Sequence, residues 1–325
     1  VRSGSVAVVG TRTAALNLAE ELAATDELAG VTVYGRVREA PAHTVFARGL
    51  ARYVYGLEPL DPSTFAVLIA VPDEGVPETA VSIAGQGPAP GGCAAFHLSP
   101  TLPSDALAPL HGPGYALGVF QPFGGDRAGA TTLDGPTAEG HRQTGLSGGF
   151  VAVTGSPAAI AVARRLCDAL GAEVLEVPAG RRPLVDAASV LMSGSLAPLL
   201  ALSSRLMERA GIAADEVRPA LIAAARAALA QAEQGATSEA SAHPVRRGDL
   251  ERVALHLRAL DGEDQRLYAV LASEMLRIEG GSADAPTRAA IDQLLSRYLD
   301  VGIPAAGGTP GDAHENLDPQ PTSVG

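Results

Sequence analysis

Lysine is absent from this 325-residue chain: all 24 basic residues are arginine. Any mechanism that needs a lysine amine, as Schiff base or as general acid, is therefore excluded. Tryptophan is absent too, and aromatic residues make up only 4% of the chain, so aliphatic side chains and alanine must fill the interior. The two cysteines, Cys93 and Cys167, form no CxxC pair. Neither a disulfide framework nor a thiolate zinc site is indicated, and both are expected to be small buried residues. The seven histidines are scattered without an HxxxH pair, which leaves no metal spacing, and GLSGG (145–149) sets a serine between glycines in a loop but lacks the following helix of a nucleophile elbow.

Positive charge is also scarce. Acidic residues outnumber basic ones 36 to 24, for a net charge of -12. The resulting field repels phosphate backbones and anionic lipid, so neither nucleic acid nor a membrane is expected as a partner. No apolar run is read as approaching the roughly 18 residues that span a bilayer, and VRSGS leads into a strand without a signal-peptide core. The cytoplasm is the expected location.

What is present divides at about residue 178. Before it, short β-branched runs alternate with helical stretches: VAVVG (6–10), VTVYG (31–35), FAVLIAV (65–71), CAAFHLS (93–99), FVAVTG (150–155) and AEVLEVP (172–178) are predicted strands. Between the last two, SPAAIAVARRLCDALG carries a cap at Ser156, a proline at the first helical position and Gly171 at the stop, which predicts a βαβ unit. The segments GQGPAPGG and HGPGYALGVFQPFGGDRAGATTLDGP read as loops. After 178 the texture is helical, with helices predicted over 184–210, 213–234, 250–260, 264–278 and 285–299, the first two kinked at Pro198 and Pro219. The pattern predicts an α/β fold: a Rossmann-like doubly wound, mainly parallel sheet (1–178) followed by an all-helical C-terminal domain (179–300). The Gly/Pro-rich 301–325 is expected to be a disordered tail.

The stretch SVAVVGTRTAALNLAEEL carries the first functional signal. A dinucleotide turn uses three glycines, for tightness, for pyrophosphate approach and for helix packing; here the positions read Gly10, Arg12 and Ala15. Gly10, Thr11 and Arg12 are the candidate phosphate contacts. The Arg12 guanidinium either pairs with a phosphate or occupies the site and excludes the ligand; the alternative for the whole stretch is an ordinary strand-turn-helix without nucleotide. The second strand ends in Gly35-Arg36-Val37-Arg38 instead of the acidic residue that holds an NAD ribose, so Arg36 favours NADP. Two solvated arginines are the alternative. Pro72 and Asp73 follow the 65–71 strand and complete the candidate cofactor set.

Ligands of open α/β sheets sit beyond the carboxyl ends of the strands, which singles out Asp73, His97, Ser99 and Gln121. His97 is the candidate acid of a hydride transfer, with Ser99 beside it, unless its role is to satisfy a strand end. Asp73 has a helix-capping alternative. In HPVRRGDL, Asp249 is placed as a helix N-cap and Arg247 is a candidate for binding a substrate carboxylate. Asp186 suits either a ligand or a helix dipole.

Several blocks together, AVPDEGV (70–76), FHLSPTLPSDALAPL (96–110), GVFQPF (118–123) and above all HPVRRGDLERVALHLRAL (243–260), resemble a bacterial family. Its members join a Rossmann-like domain to a helical domain, DUF2520, within the 6-phosphogluconate dehydrogenase-like group that includes ketopantoate reductases. The resemblance implies an NADP-linked reductase of a small oxo or hydroxy acid. It also has departures. Where the family carries Tyr-His and Ser-Asn, this chain has Val185-Asp186 and Ser193-Gly194; Gln121-Pro122 stands for His-Pro, and the group's lysine acid has no counterpart. A non-catalytic descendant that binds a ligand or a partner is therefore the alternative. The Ala/Leu-rich, charge-poor helices over 184–234 predict a homodimer.

Overall fold

The computed structural model describes residues 4–123, 146–233, 243–278 and 283–299; the expected tail and most of the segment after GVFQPF lie outside them. The chain divides into two compact units, Val1–Pro198 and Leu199–Gly325.

The first unit is built on β1 (Ser5–Val9), α1 (Thr13–Ala23), β2 (Gly30–Gly35), the short α2 (Thr44–Ala47), β3 (Arg52–Tyr55), β4 (Thr64–Ile69), α3 (Val76–Ala84), β5 (Ala94–His97), β6 (Ala116–Phe123), β7 (Phe150–Gly155), α4 (Pro157–Leu170), β8 (Glu173–Glu176) and α5 (Arg182–Ser193). The strands form one sheet in the order β3-β2-β1-β4-β5-β6-β7-β8. All neighbours are parallel except β6 and β7, which run antiparallel with Gln121 opposite Ala152. The first six positions reproduce the order of a dinucleotide-binding sheet, with the switch point between β1 and β4.

Strand periodicity sorts the core into two layers. Val6, Val8, Ala66, Leu68 and Phe96 face α1 and α4, while Ala7, Val9, Val67 and Ile69 face α3. Both faces are covered, so these strands read as continuous apolar runs. Alanines at Ala15, Ala19, Ala159 and Ala163, none of them exposed, let α1 and α4 lie close on the sheet, which is how a chain so poor in aromatics packs. Phe96 and Phe120 meet edge to face at 5.9 Å. Cys93 and Cys167 are both buried, and burial pushes their thiols up to about 12, as small apolar residues.

Two strands were not expected. β3 is short and half polar, and β6 lies inside the segment read as a loop; its sequence, ALGVFQPF, contains Gly118 and Pro122. Gly118 is needed because a Cβ there would stand 2.8 Å from the Phe96 ring. The β7–α4–β8 unit is as expected, with Ser156 Oγ accepting from the Ala159 amide at 3.3 Å and Gly171 left-handed at φ 66.

The break in the first long helix falls at 194–195, between α5 and α6 (Leu196–Arg209), rather than at Pro198. A proline removes the bond to the carbonyl four residues back and clashes with it, which here is Gly194, itself a weak helix former. Between Asp186 and Arg205 no residue is charged. The stretch Arg182–Arg209, which holds an 18-residue window of mean hydropathy 1.6, is long and apolar enough to cross a membrane by length and composition alone, contrary to the expectation of no such run.

The second unit continues with α7 (Ala214–Glu233), α8 (Pro244–Arg247), α9 (Leu250–Ala259), α10 (Gly262–Arg277) and α11 (Ala285–Leu299). Val245, Val253, Leu257, Ala269, Ala272, Ile291 and Leu295 make its core. The helix α7 runs through Pro219 and, among the described residues, contributes only Val217 to the buried ones.

Candidate functional site

The β1–α1 turn depends on Gly10. Its φ is 138, outside the range of other residues, and a Cβ built there would overlap the Ala70 carbonyl group, 2.9 Å from its carbon. Gly35 is the second close approach: a Cβ would lie 2.7 Å from Thr11 Cγ2 and 2.8 Å from the Tyr53 ring. These two glycines leave open a cavity of about 710 Å³ beyond the ends of β1, β2 and β4, within the size range of small-molecule and cofactor sites.

Of the expected cofactor residues, Gly10, Thr11, Arg12, Arg36 and Pro72 line this cavity. Asp73 does not; its carboxylate accepts the Thr101 hydroxyl, and it does not cap α3. Arg12 is the N-cap residue of α1 with an extended backbone (φ -74, ψ 163), yet no side chain caps the helix and no acidic residue stands in its first turn. The amides at that end are thus open to an anion. Arg12 and Arg36 are exposed and make no ion pair with any described residue. Arg12 is therefore not locked across the crevice. Arg36 reaches the far wall, its Nη2 3.8 Å from where a Gly75 Cβ would stand, whereas Arg38 lies over the Tyr55 ring at 5.9 Å.

The residues expected at the reacting end occupy a different environment. His97 is 0% exposed. Its Nε2 donates to the Pro103 carbonyl at 3.1 Å, and its Nδ1 is buried without a partner. Burial lowers its pKa, the Pro103 bond opposing this, which keeps the ring neutral. Ser99 Oγ accepts from the amides of Thr101 and Leu102 at 3.1 and 3.0 Å, a local turn motif. Both side chains therefore build the loop that follows β5.

Sequence reasoning missed the group that ties this loop down. Arg182, only 7% exposed at the start of α5, donates through Nη1 to the Leu102 carbonyl at 2.6 Å and through Nη2 to the Ser99 carbonyl and to Gln121 Oε1, the latter at 3.0 Å. Gln121 in turn donates to Asp186 Oδ1 at 3.0 Å. Burial lowers the Arg182 pKa, and Asp186 and Asp73 oppose the shift. Gln121 and Asp186 are thus spent on each other and on Arg182. The only sequence signal was the i,i+4 spacing of Arg182 and Asp186 on one helix.

Arg247 lies in the helical unit, exposed at the end of α8, beside the buried Arg246. The HPVRRGD run around it is a joint between helices. His243 Nδ1 accepts from the Val245 amide at 3.3 Å, and Asp249 Oδ1 caps α9 through the Arg252 amide at 3.0 Å. Gly248 (φ 73) packs where a Cβ would meet Thr287 Cγ2 at 2.9 Å.

Together these features define a Rossmann-like α/β unit with a cavity at its switch point lined by Arg12 and Arg36, joined in sequence to a helical unit. Residues 150–275 match the family model described as a domain of unknown function, DUF2520; the match begins at β7 and so takes in the last two strands as well as helices. No curated protein matches. Among solved structures, the chain resembles a candidate NADP oxidoreductase from Bacteroides fragilis (20% identity, 84% of this chain and 98% of that one, TM-score 0.61). It also resembles a Plasmodium falciparum pyrroline carboxylate reductase with NADP bound (10%, 92% and 98%, TM-score 0.53) and a reductive aminase from Aspergillus terreus (13%, 90% and 99%, TM-score 0.52). At these identities the likeness shows the fold.

Proposed function

We propose that the protein is an NADP(H)-dependent oxidoreductase of small carbonyl or imine compounds, oxo acids of the ketopantoate kind among them. The observation that carries this reading is the cavity at the switch point, lined by two arginines without ion-pair partners among the described residues and with no carboxylate at the end of β2. The names of the similar structures, a pyrroline carboxylate reductase and a reductive aminase, support the class. The bound cofactor would supply the hydride. The chain would contribute Gly10 and the open α1 amides under the diphosphate, Arg12 as a phosphate partner in place of the second glycine, and Arg36 for the 2'-phosphate. His97 and Ser99, expected as catalytic groups, would act through the loop they build, and Arg247 is proposed for a substrate carboxylate. The cytoplasm suits such an enzyme.

Arg36→Ala tests the cofactor directly. Loss of a charge-assisted phosphate contact should weaken NADPH binding by about 30-fold while leaving NADH within about twofold, read by calorimetric titration. Equal effects on the two, or no binding of either at millimolar concentration, would remove the reading. A second reading, a ligand-binding protein without turnover, is favoured by the sealed His97. It predicts NADPH binding but no oxidation across a panel of oxo acids and imines.

We also propose a homodimer through the helices. Leu184, Leu191 and Met192 are 64, 67 and 65% exposed on α5, an apolar stripe that a second copy would cover. Light scattering at micromolar concentration should give twice the chain mass of 32.9 kDa; a monomer, or partition into neutral vesicles, contradicts it.

A further inference from the structure

His97, the last residue of β5, is fully buried beside the loop Leu98–Pro103, whose far end it holds through Nε2 and the Pro103 carbonyl. A carbonyl only accepts, so Nε2 carries the ring hydrogen and Nδ1 is a bare acceptor, buried and without a partner. The other ties of the loop are Arg182, which donates to the Ser99 and Leu102 carbonyls, and the Thr101 hydroxyl, which donates to Asp73 Oδ2 at 2.5 Å. Ser99 is buried, whereas Pro100, Thr101 and Pro103 are exposed. Water therefore stands against the back of the loop while its inner side faces buried polar groups.

The charged groups that act on the ring are Arg182 from α5 and Asp73 from the turn after β4; its strand partners, Ile69 on β4 and Val119 on β6, are apolar. A second proton has no suitable place here. On Nδ1 it would be a buried donor without an acceptor, and the imidazolium would stand near a guanidinium that itself bonds only carbonyls and a carboxamide among the described residues. Burial lowers the pKa of the ring and Arg182 adds to the shift, while the Pro103 bond and Asp73 oppose it.

We propose that the loop Leu98–Pro103 is an acid-released latch, held shut by neutral His97 and opened when the ring takes up a proton. The charged ring gains hydration only by leaving its pocket, and the loop that carries its partner Pro103 must lift with it, which undoes the Arg182 fork on Ser99 and Leu102. A base held below its ordinary value of 6.5 stabilises the closed loop fully above that pH. Below it the stabilisation falls by up to about tenfold in the closing equilibrium per pH unit, until the value of the closed state is reached. Opening also frees Thr101 from Asp73, whose neighbours Pro72 and Glu74 line the cavity, so acid loosens that wall. Only this last consequence rests on the nucleotide reading.

Hydrogen exchange on the full chain tests the latch through the Thr101 and Leu102 amides, which bond Ser99 Oγ inside it. Between about pH 7.5 and about pH 5.5, after correction for the intrinsic effect of pH, their protection should fall by up to about tenfold while that of β1 stays constant. His97→Gln, whose amide can donate to the Pro103 carbonyl but takes no proton, should abolish the change. Constant loop protection in the wild type, or the same loss in the variant, overturns the latch; should the variant not fold, the wild-type measurement decides alone. NADP+, stable in acid, reads the link to the cavity: the wild type should lose about fivefold more affinity than the variant over the same range. Equal losses cut that link and leave the latch, and no binding of NADP+ at either pH removes the nucleotide reading alone.

Discussion

Gly10→Ala should be the most damaging single substitution in the sheet unit, lowering its stability by about 4 kcal/mol. Two costs add. The φ of 138 is a region that residues with a Cβ avoid at about 1–3 kcal/mol, and the new methyl group would press on the Ala70 carbonyl, part of the backbone that leaves β4. Ala70 donates its amide to the Val9 carbonyl at 2.8 Å, so relief by moving Ala70 would strain the β1–β4 pairing. Thermal unfolding should report the loss as a midpoint lower by about 10 °C. Calorimetry should also show NADPH binding abolished, because the displaced turn would no longer leave its amides open. A variant within about 1 kcal/mol of the wild type would show that the turn is not held as described.

Arg182→Ala should cost about 3 kcal/mol, measured by urea denaturation. Its removal strands the Ser99 and Leu102 carbonyls and Gln121 Oε1 in a part-buried site, each unsatisfied acceptor costing about 1–3 kcal/mol. Relief of burying a cation with no carboxylate in direct contact offsets part of this. Arg182→Lys separates shape from charge. An ammonium keeps the charge but lacks the planar fork that spans two carbonyls and a carboxamide, so about half the loss should remain. Full recovery by lysine would mean that charge alone mattered. The loop from Ser99 to Pro103 also carries Thr101, which bonds Asp73 beside the cavity, so the alanine variant should weaken NADPH binding as well.

Much of the sheet could be read from local pattern. The β1 and β4 strands are apolar runs long enough to be recognised, and α4 carries its cap, proline and stop glycine in sequence. β6 could not be read that way. Gly118 is there for the Phe96 ring, a partner 22 positions earlier, so in sequence it looks like a loop residue. β3 is an edge strand with a single buried residue, Val54, and weak burial leaves a weak pattern. The end of the first long helix was displaced for a local reason, the reach of Pro198 back to Gly194.

The lining of the cavity was legible in part because it is built from residues at strand ends: Gly10, Thr11, Arg12, Arg36 and Pro72 all reach it. A strand end and the turn after it point where the sheet directs them. The fate of His97, Ser99, Gln121 and Asp186 was not, since a polar residue after a strand has the same appearance whether it faces a ligand or a buried guanidinium. Sequence alone established the doubly wound class, the arginine-only composition and the place of the β1–α1 turn, because each depends on short-range pattern or composition. Tertiary structure decided that Arg12 makes no ion pair among the described residues, that His97 is sealed behind Pro103 and that α3 brings Glu78 to the cavity. Those outcomes depend on which distant side chain arrives to satisfy a donor or acceptor, and that is settled only when the elements pack.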